Sequence, residues 1–169
     1  MYERKLQPRV VGLFICSDAG QPMQAVKEVE AIAGKGLKGD RYATGQGSFS
    51  FKLKTFLQKC FWWWFGVKRQ VTLISATAFE GTGFRFDESR RNIVVADVEL
   101  MWLVGREFEV GTARFKGVKY CDPCNRPSKL CGKKSFKDAF FDKGGLIAEV
   151  VEGGIILDDD FVILPLKNY

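Results

Sequence analysis

The 169-residue chain predicts an all-β domain, mainly strands with a few short helices, arranged as a closed or partly open β-barrel. Two observations carry this. Its apolar runs are short, close together and rich in β-branched residues, and Gly, Asp or Ser clusters separate them. Stretches long enough for amphipathic helices are few. No internal repeat and no Pro-, Gly- or Ser-rich linker interrupts the pattern, so residues 1–169 read as one domain with a core of about 10–164.

The elements follow in order. Val10 to Ile15 is a buried-type strand closed by the turn Ser17-Asp18-Ala19-Gly20. Lys27 to Ile32 reads as a second strand, although a short helix also fits. Gln70 to Ile74 and Asn92 to Val95 are β-branched runs. Phe108 to Cys121 predicts a hairpin turning at Gly111-Thr112. Leu146 to Val151, Gly153-Gly154 and Ile155 to Leu157 predict a second paired unit, and Phe161 to Leu164 a last strand. Ser75 to Glu80 can form one or two helical turns, with Thr77 and Glu80 at capping-box spacing. Ser135 to Phe141 is the better helix: Ser135 can cap it, Phe136 and Phe140 share a face, and Gly144-Gly145 can stop it.

An insert of about 49–67 interleaves aromatic residues from Phe49 to Phe65 with Lys52, Lys54 and Lys59. Such a segment suits a membrane surface, single-stranded nucleic acid, or burial against the core or a second copy of the chain. Burial is favoured, because clustered aromatics bury against protein. Nucleic acid is therefore a disfavoured partner, while a homodimer stays open.

Composition narrows the chemistry. Apolar residues make up 46% and charged residues 27%, an ordinary globular balance. A net charge of +6 suits a small anionic cofactor or substrate as readily as plain solubility. The count of histidines is 0, which excludes Ser-His and Cys-His nucleophile pairs and His-bearing zinc sites. The 5 cysteines are Cys16, Cys60, Cys121, Cys124 and Cys131. Their odd number, and an N-terminus without an apolar signal, predict reduced thiols and a cytoplasmic protein. No apolar run reaches the ~18 residues that would span a bilayer.

Cys121-Asp122-Pro123-Cys124 is the most informative motif. Its thiols can form a redox pair, half of a metal site, or one reactive thiol beside a structural one; nearby Lys119, Arg126, Lys129, Lys133 and Lys134 favour a thiolate. Cys121, Cys124 and Cys131 supply three zinc ligands where a closed structural site wants four, so zinc is the weaker alternative. Gly34 to Tyr42, including Lys38, Gly39, Asp40 and Arg41, combines glycines with charge and suits an anion. Arg90-Arg91-Asn92 precedes a strand and can grip a phosphate or carboxylate. Lys143-Gly144-Gly145-Leu146 is a third basic, glycine-rich strand start. Each also reads as a turn with a solvated or self-paired charged face.

In this order the motifs resemble the MOSC family, named after the C-terminal domain of molybdenum cofactor sulfurases. The matching pieces are Gly36-Leu37-Lys38-Gly39-Asp40-Arg41-Tyr42, Gln70 to Ile74, and Arg90-Arg91-Asn92-Ile93-Val94-Val95. They continue with Leu100 to Gly111, Cys121-Asp122-Pro123-Cys124, Gly144-Gly145-Leu146, and Val150 to Ile155. The resemblance implies a small mostly-β barrel with one hallmark cysteine at the ligand site. Cys124 matches it best and Cys121 second. That cysteine would ligate the molybdenum of a pterin cofactor (molybdopterin) or carry sulfane sulfur, either in reduction of N-hydroxylated compounds or in sulfur transfer. The basic loops with Lys38, Gly39, Asp40, Arg41, Arg90, Arg91, Asn92, Gly144 and Gly145 would hold the cofactor, a role inferred from charge. A redox or sulfur-donor protein is the expected partner. Pyridoxal phosphate binding belongs to the aminotransferase-like part of full sulfurases, which this chain lacks. The departures are the aromatic insert, Ala96-Asp97 after the valine run, and Asp158-Asp159-Asp160 at the closing turn. Three alternatives stay open: a carrier module without chemistry, a structural zinc protein, and a nucleic-acid or membrane-surface protein.

Overall fold

The computed structural model describes residues 7–44 and 69–165. The aromatic insert and Cys60 lie outside the described residues. Eleven strands occur among them: β1 (Arg9–Ile15), β2 (Gln24–Val26), β3 (Glu28–Ile32), β4 (Gly36–Leu37), β5 (Val71–Ser75), β6 (Ile93–Ala96), β7 (Glu107–Val110), β8 (Ala113–Tyr120), β9 (Leu146–Glu152), β10 (Gly154–Leu157) and β11 (Val162–Ile163). Two short helices, α1 (Arg126–Cys131) and α2 (Phe136–Ala139), and three 3-10 turns complete the described chain.

The strands form two sheets and are not closed into the expected barrel. The eight-stranded sheet runs β11-β7-β8-β9-β5-β6-β1-β2, and the three-stranded sheet β10-β3-β4. One isolated bridge, Arg9 to Phe161, joins the start of β1 to the chain before β11. The Val10 amide donates to the Asp160 carbonyl and the Val162 amide to the Pro8 carbonyl, each at 2.8 Å.

β1, β5 and β6 are mostly apolar because both of their faces are covered. Leu13, Leu73 and Ile93 face the larger core with Phe108, Phe115 and Ile156. Their sequence neighbours Phe14, Ile74 and Val94 face a second core with Phe79, Phe84, Phe136 and Phe140. Strand alternation thus divides one run between two cores. In the second core Phe136 and Phe140 stack at 4.2 Å, as their i, i+4 spacing implies. The β5–β6 pair is parallel, so the chain crosses over between them, through residues 76–92.

Four expectations are corrected. β9 and β10 do not pair with each other: β9 lies between β8 and β5, and β10 pairs with β3. The chain changes sheets at Gly153, where an added Cβ would come within 2.9 Å of the Ala31 carbonyl oxygen. The turn at Ala76–Phe79 carries no side-chain cap; Thr77 instead shares a hydrogen bond with Ser75 at 2.8 Å. Ser135 precedes α2 in a left-handed conformation and its hydroxyl does not cap it. That helix also ends at Ala139, before Gly144-Gly145 is reached. α1 was not foreseen: its six residues are too few to show periodicity, and Pro127, which suits a helix's first turn, reads equally as a turn signal.

Candidate functional site

The motif Arg90-Arg91-Asn92 organises the site by sending three side chains in three directions. Arg91 is buried. Its Nε donates to the Gly144 carbonyl at 2.8 Å, and its two terminal nitrogens donate to the carbonyls of Ser89 (3.3 Å) and Cys121 (3.4 Å). One guanidinium thereby ties the chain just before β6 to the cysteine motif and the Gly144-Gly145 strap. The strap has no room for side chains: a Cβ on Gly144 would meet the Cys121 carbonyl, and one on Gly145 the Leu73 carbonyl. Gly145 also sits at φ +97°, where glycine is favoured. Its carbonyl accepts from the Cys121 amide at 2.8 Å, and the Tyr120 hydroxyl accepts from the Gly144 amide at 3.0 Å.

Asn92 and Asp40 form a second buried knot. Asn92 donates to the Phe14 carbonyl (3.2 Å) and to Asp40 Oδ2 (3.1 Å), and its oxygen accepts from the Thr72 amide and hydroxyl. Asp40 also accepts from the Cys16 amide and the Tyr42 amide, both at 3.0 Å. The 36–42 and 90–92 motifs, remote in sequence, are thus joined through Asp40 and Asn92.

Arg90 takes up a left-handed conformation (φ 61°) and reaches the turn after β1. It donates to the Gln21 carbonyl at 2.6 Å and to the Cys16 sulfur at 3.2 Å, and its Nε has no partner among the described residues. Cys16 itself donates to the Asp18 and Gln21 carbonyls. The Cys16–Arg90 contact had no signal in the sequence, because 74 residues separate the two. Arg41 is 6% exposed, yet its Nε and one terminal nitrogen have no partner among the described residues; the other donates to the Tyr42 hydroxyl at 3.4 Å. Lys38 stands apart on the surface, paired with Glu30 at 2.6 Å. That hydrogen bond, with the attraction behind it, raises the lysine pKa.

The two leading cysteines part company. Cys121 is 1% exposed, whereas Cys124 is exposed between β8 and α1. Cys131, at the end of α1, lines a different feature: a cleft of about 300 Å³ shared with Met23, Arg85, Glu88, Arg90 and Leu130. Glu88 anchors its rim, accepting from the Arg85 amide at 2.8 Å and from Lys133 at 2.7 Å. Burial alone would raise the Glu88 pKa, but these bonds and the two cations hold it below the usual carboxylate value. Asp87 is lowered chiefly by its hydrogen bond from Arg85. Among the described residues no three Cys, Asp or Glu side chains gather as a metal-ligand set. Nor, among them, is any helix long and apolar enough to cross a membrane.

With this geometry in hand, solved structures supply the comparison. The YuaD protein from Bacillus subtilis superposes with a TM-score of 0.69 at 16% identity, covering 96% of this chain and 97% of that one. YiiM from Escherichia coli gives 0.62 at 13% identity, with 94% and 70% covered. YiiM from Geobacillus stearothermophilus gives 0.63 at 13%, with 95% and 76% covered. What they share with this chain is the fold. No protein-family model matches the sequence, and no curated protein does.

Proposed function

We propose that the chain is a MOSC-type protein whose Cys124 thiolate ligates the molybdenum of a pterin cofactor or carries a sulfane sulfur. The ordered motifs support this reading, and the likeness to YuaD and YiiM supports a MOSC-like fold. The observation that carries it is the contrast between the thiols. Cys124 is open to solvent, while Cys121, three residues before it, is sealed and its backbone is held by Gly145 and Arg91. A solvent-facing thiolate is a nucleophile and a soft ligand, which suits both molybdenum and sulfur. When bound, such a cofactor supplies two-electron redox chemistry, as reduction of an N-hydroxylated compound requires. The chain's own part is to present the Cys124 sulfur to solvent in the loop after β8, with the exposed Arg126 and Lys129 following it in sequence. Asp40 and Asn92 act as braces of the basic loops in this reading, since their polar atoms are already bonded to the protein. The four described thiols are free, which suits the cytoplasmic location that belongs to the same proposal.

Metal analysis and intact mass of gently purified protein, produced with abundant cofactor, test the reading. Wild type should carry molybdenum, or one extra sulfur atom on Cys124, and Cys124→Ser should carry neither. Equal molybdenum in both removes Cys124 as ligand. Extra sulfur without turnover favours the carrier module over the enzyme.

A further inference from the structure

We propose that a cleft at the ends of β5 and β6 binds an apolar α-amino acid as its zwitterion. The inference is independent of Cys124 and of any cofactor there. It starts from the topology. β5 and β6 are the one parallel pair among the described strands, so they leave the sheet side by side and in the same direction. Beyond Ser75 the chain enters the turn Ala76–Phe79, whose Ala78 and Phe79 pack into the second core. Beyond Ala96 it enters the turn Leu100–Leu103, whose Leu100 and Leu103 pack into the larger core. The two chains thus part to opposite faces of the sheet, and a crevice opens between them, as it does at the strand ends of open parallel sheets. It encloses about 270 Å³, less than a drug-sized ligand needs.

The lining selects the ligand. Ala78, Val98, Leu100 and Met101 give the cleft an apolar wall, and Met101 is exposed although apolar. Glu99, Asp142 and Lys143 bring charges of both signs to the same space. These charges are not spent on one another: the Asp142 and Lys143 side chains have no partner among the described residues. Glu99 uses one oxygen to accept from the Met101 amide at 3.3 Å and keeps the other. Tyr120 also lines the cleft; its hydroxyl accepts from the Gly144 amide and retains its own proton for donation. Two carboxylates against one ammonium oppose a phosphate-type anion, and a simple amine leaves Lys143 unanswered. A zwitterion answers each group. Its ammonium donates to Glu99, with the charge of Asp142 in support, its carboxylate accepts from Lys143 and Tyr120, and its side chain lies on the apolar wall. Tyr120 also links the cleft to the cysteine motif, because the Gly144 that it holds accepts from Arg91, and Arg91 donates to the Cys121 carbonyl.

The test is isothermal titration calorimetry of the full chain with L-alanine, L-valine, L-leucine and L-methionine at millimolar concentration. At least one should bind. For the tightest of them, the matching amine without the carboxylate and the matching acid without the amine should each bind at least about tenfold more weakly, the scale of one lost charged hydrogen bond. Two variants at exposed positions assign the ends of the ligand. Glu99→Gln keeps an oxygen to accept from the Met101 amide, so it should fold as wild type does. It should weaken binding of the amino acid about tenfold and leave the acid analogue unchanged. Lys143→Met should weaken the amino acid and the acid analogue and leave the amine analogue unchanged. Three results overturn the inference: no binding of any of the four, analogues that bind as tightly as the amino acid, or an amino acid that either variant binds as tightly as wild type.

Discussion

At the scale of single residues, neighbours in sequence have opposite fates. Arg90, Arg91 and Asn92 read as one basic motif, yet each serves a different part of the fold. Arg91 is a buried clasp among three carbonyls. Replacing it with Leu would leave those carbonyls unpaired in the interior, and we expect a loss of about 3 kcal/mol in chemical denaturation. Lysine should recover only part of that, because one ammonium cannot reach three divergent acceptors as a planar guanidinium does. The sequence showed that these residues matter together without showing which were already bonded to the protein. Residue type and spacing reveal charge, whereas hydrogen-bond capacity left over after folding depends on partners far along the chain, 78 residues away for Asn92 and Phe14. For the same reason the cysteine pair was legible as a motif, but the burial of Cys121 and exposure of Cys124 were not.

At the scale of elements, the strands predicted from β-branched runs recur within a residue or two, including the hairpin of β7 and β8. Elements of two or three residues, such as β2 and β4, and the six-residue α1, escaped because they hold too little sequence for a period. The 3-10 turn Asp87–Ser89 shows how such a short piece is held. Glu88 within it bonds to Lys133, beyond α1, and to the Arg85 amide. Its folded-state pKa is depressed, so its contribution to stability is present above the ordinary carboxylate pKa and is lost as pH falls through the folded value. In urea titrations wild type should therefore exceed Lys133→Met at neutral pH. The gap should narrow as pH falls below the ordinary carboxylate range. A gap unchanged at low pH would mean that Lys133 acts through its bond to the Gly83 carbonyl and its place over the Phe84 ring, at 5.4 Å, rather than through Glu88.

At the scale of the whole molecule, one uninterrupted stretch of chain serves both sheets. β9 sits inside the large sheet and β10, directly after it, belongs to the small one. The Gly34 amide, next to β3, donates to the Val150 carbonyl on β9 at 2.9 Å, a second stitch across the same seam. The small sheet therefore has no independent way to come apart, since releasing β10 pulls on the end of β9. In deuterium labelling, the amides of β3 and of β5 should lose protection with the same denaturant dependence, as parts of one cooperative unit. Early exchange confined to β3 and β10 would show instead that the seam yields, and that the loop bearing Arg41 can loosen while the clasp around Cys121 stays shut.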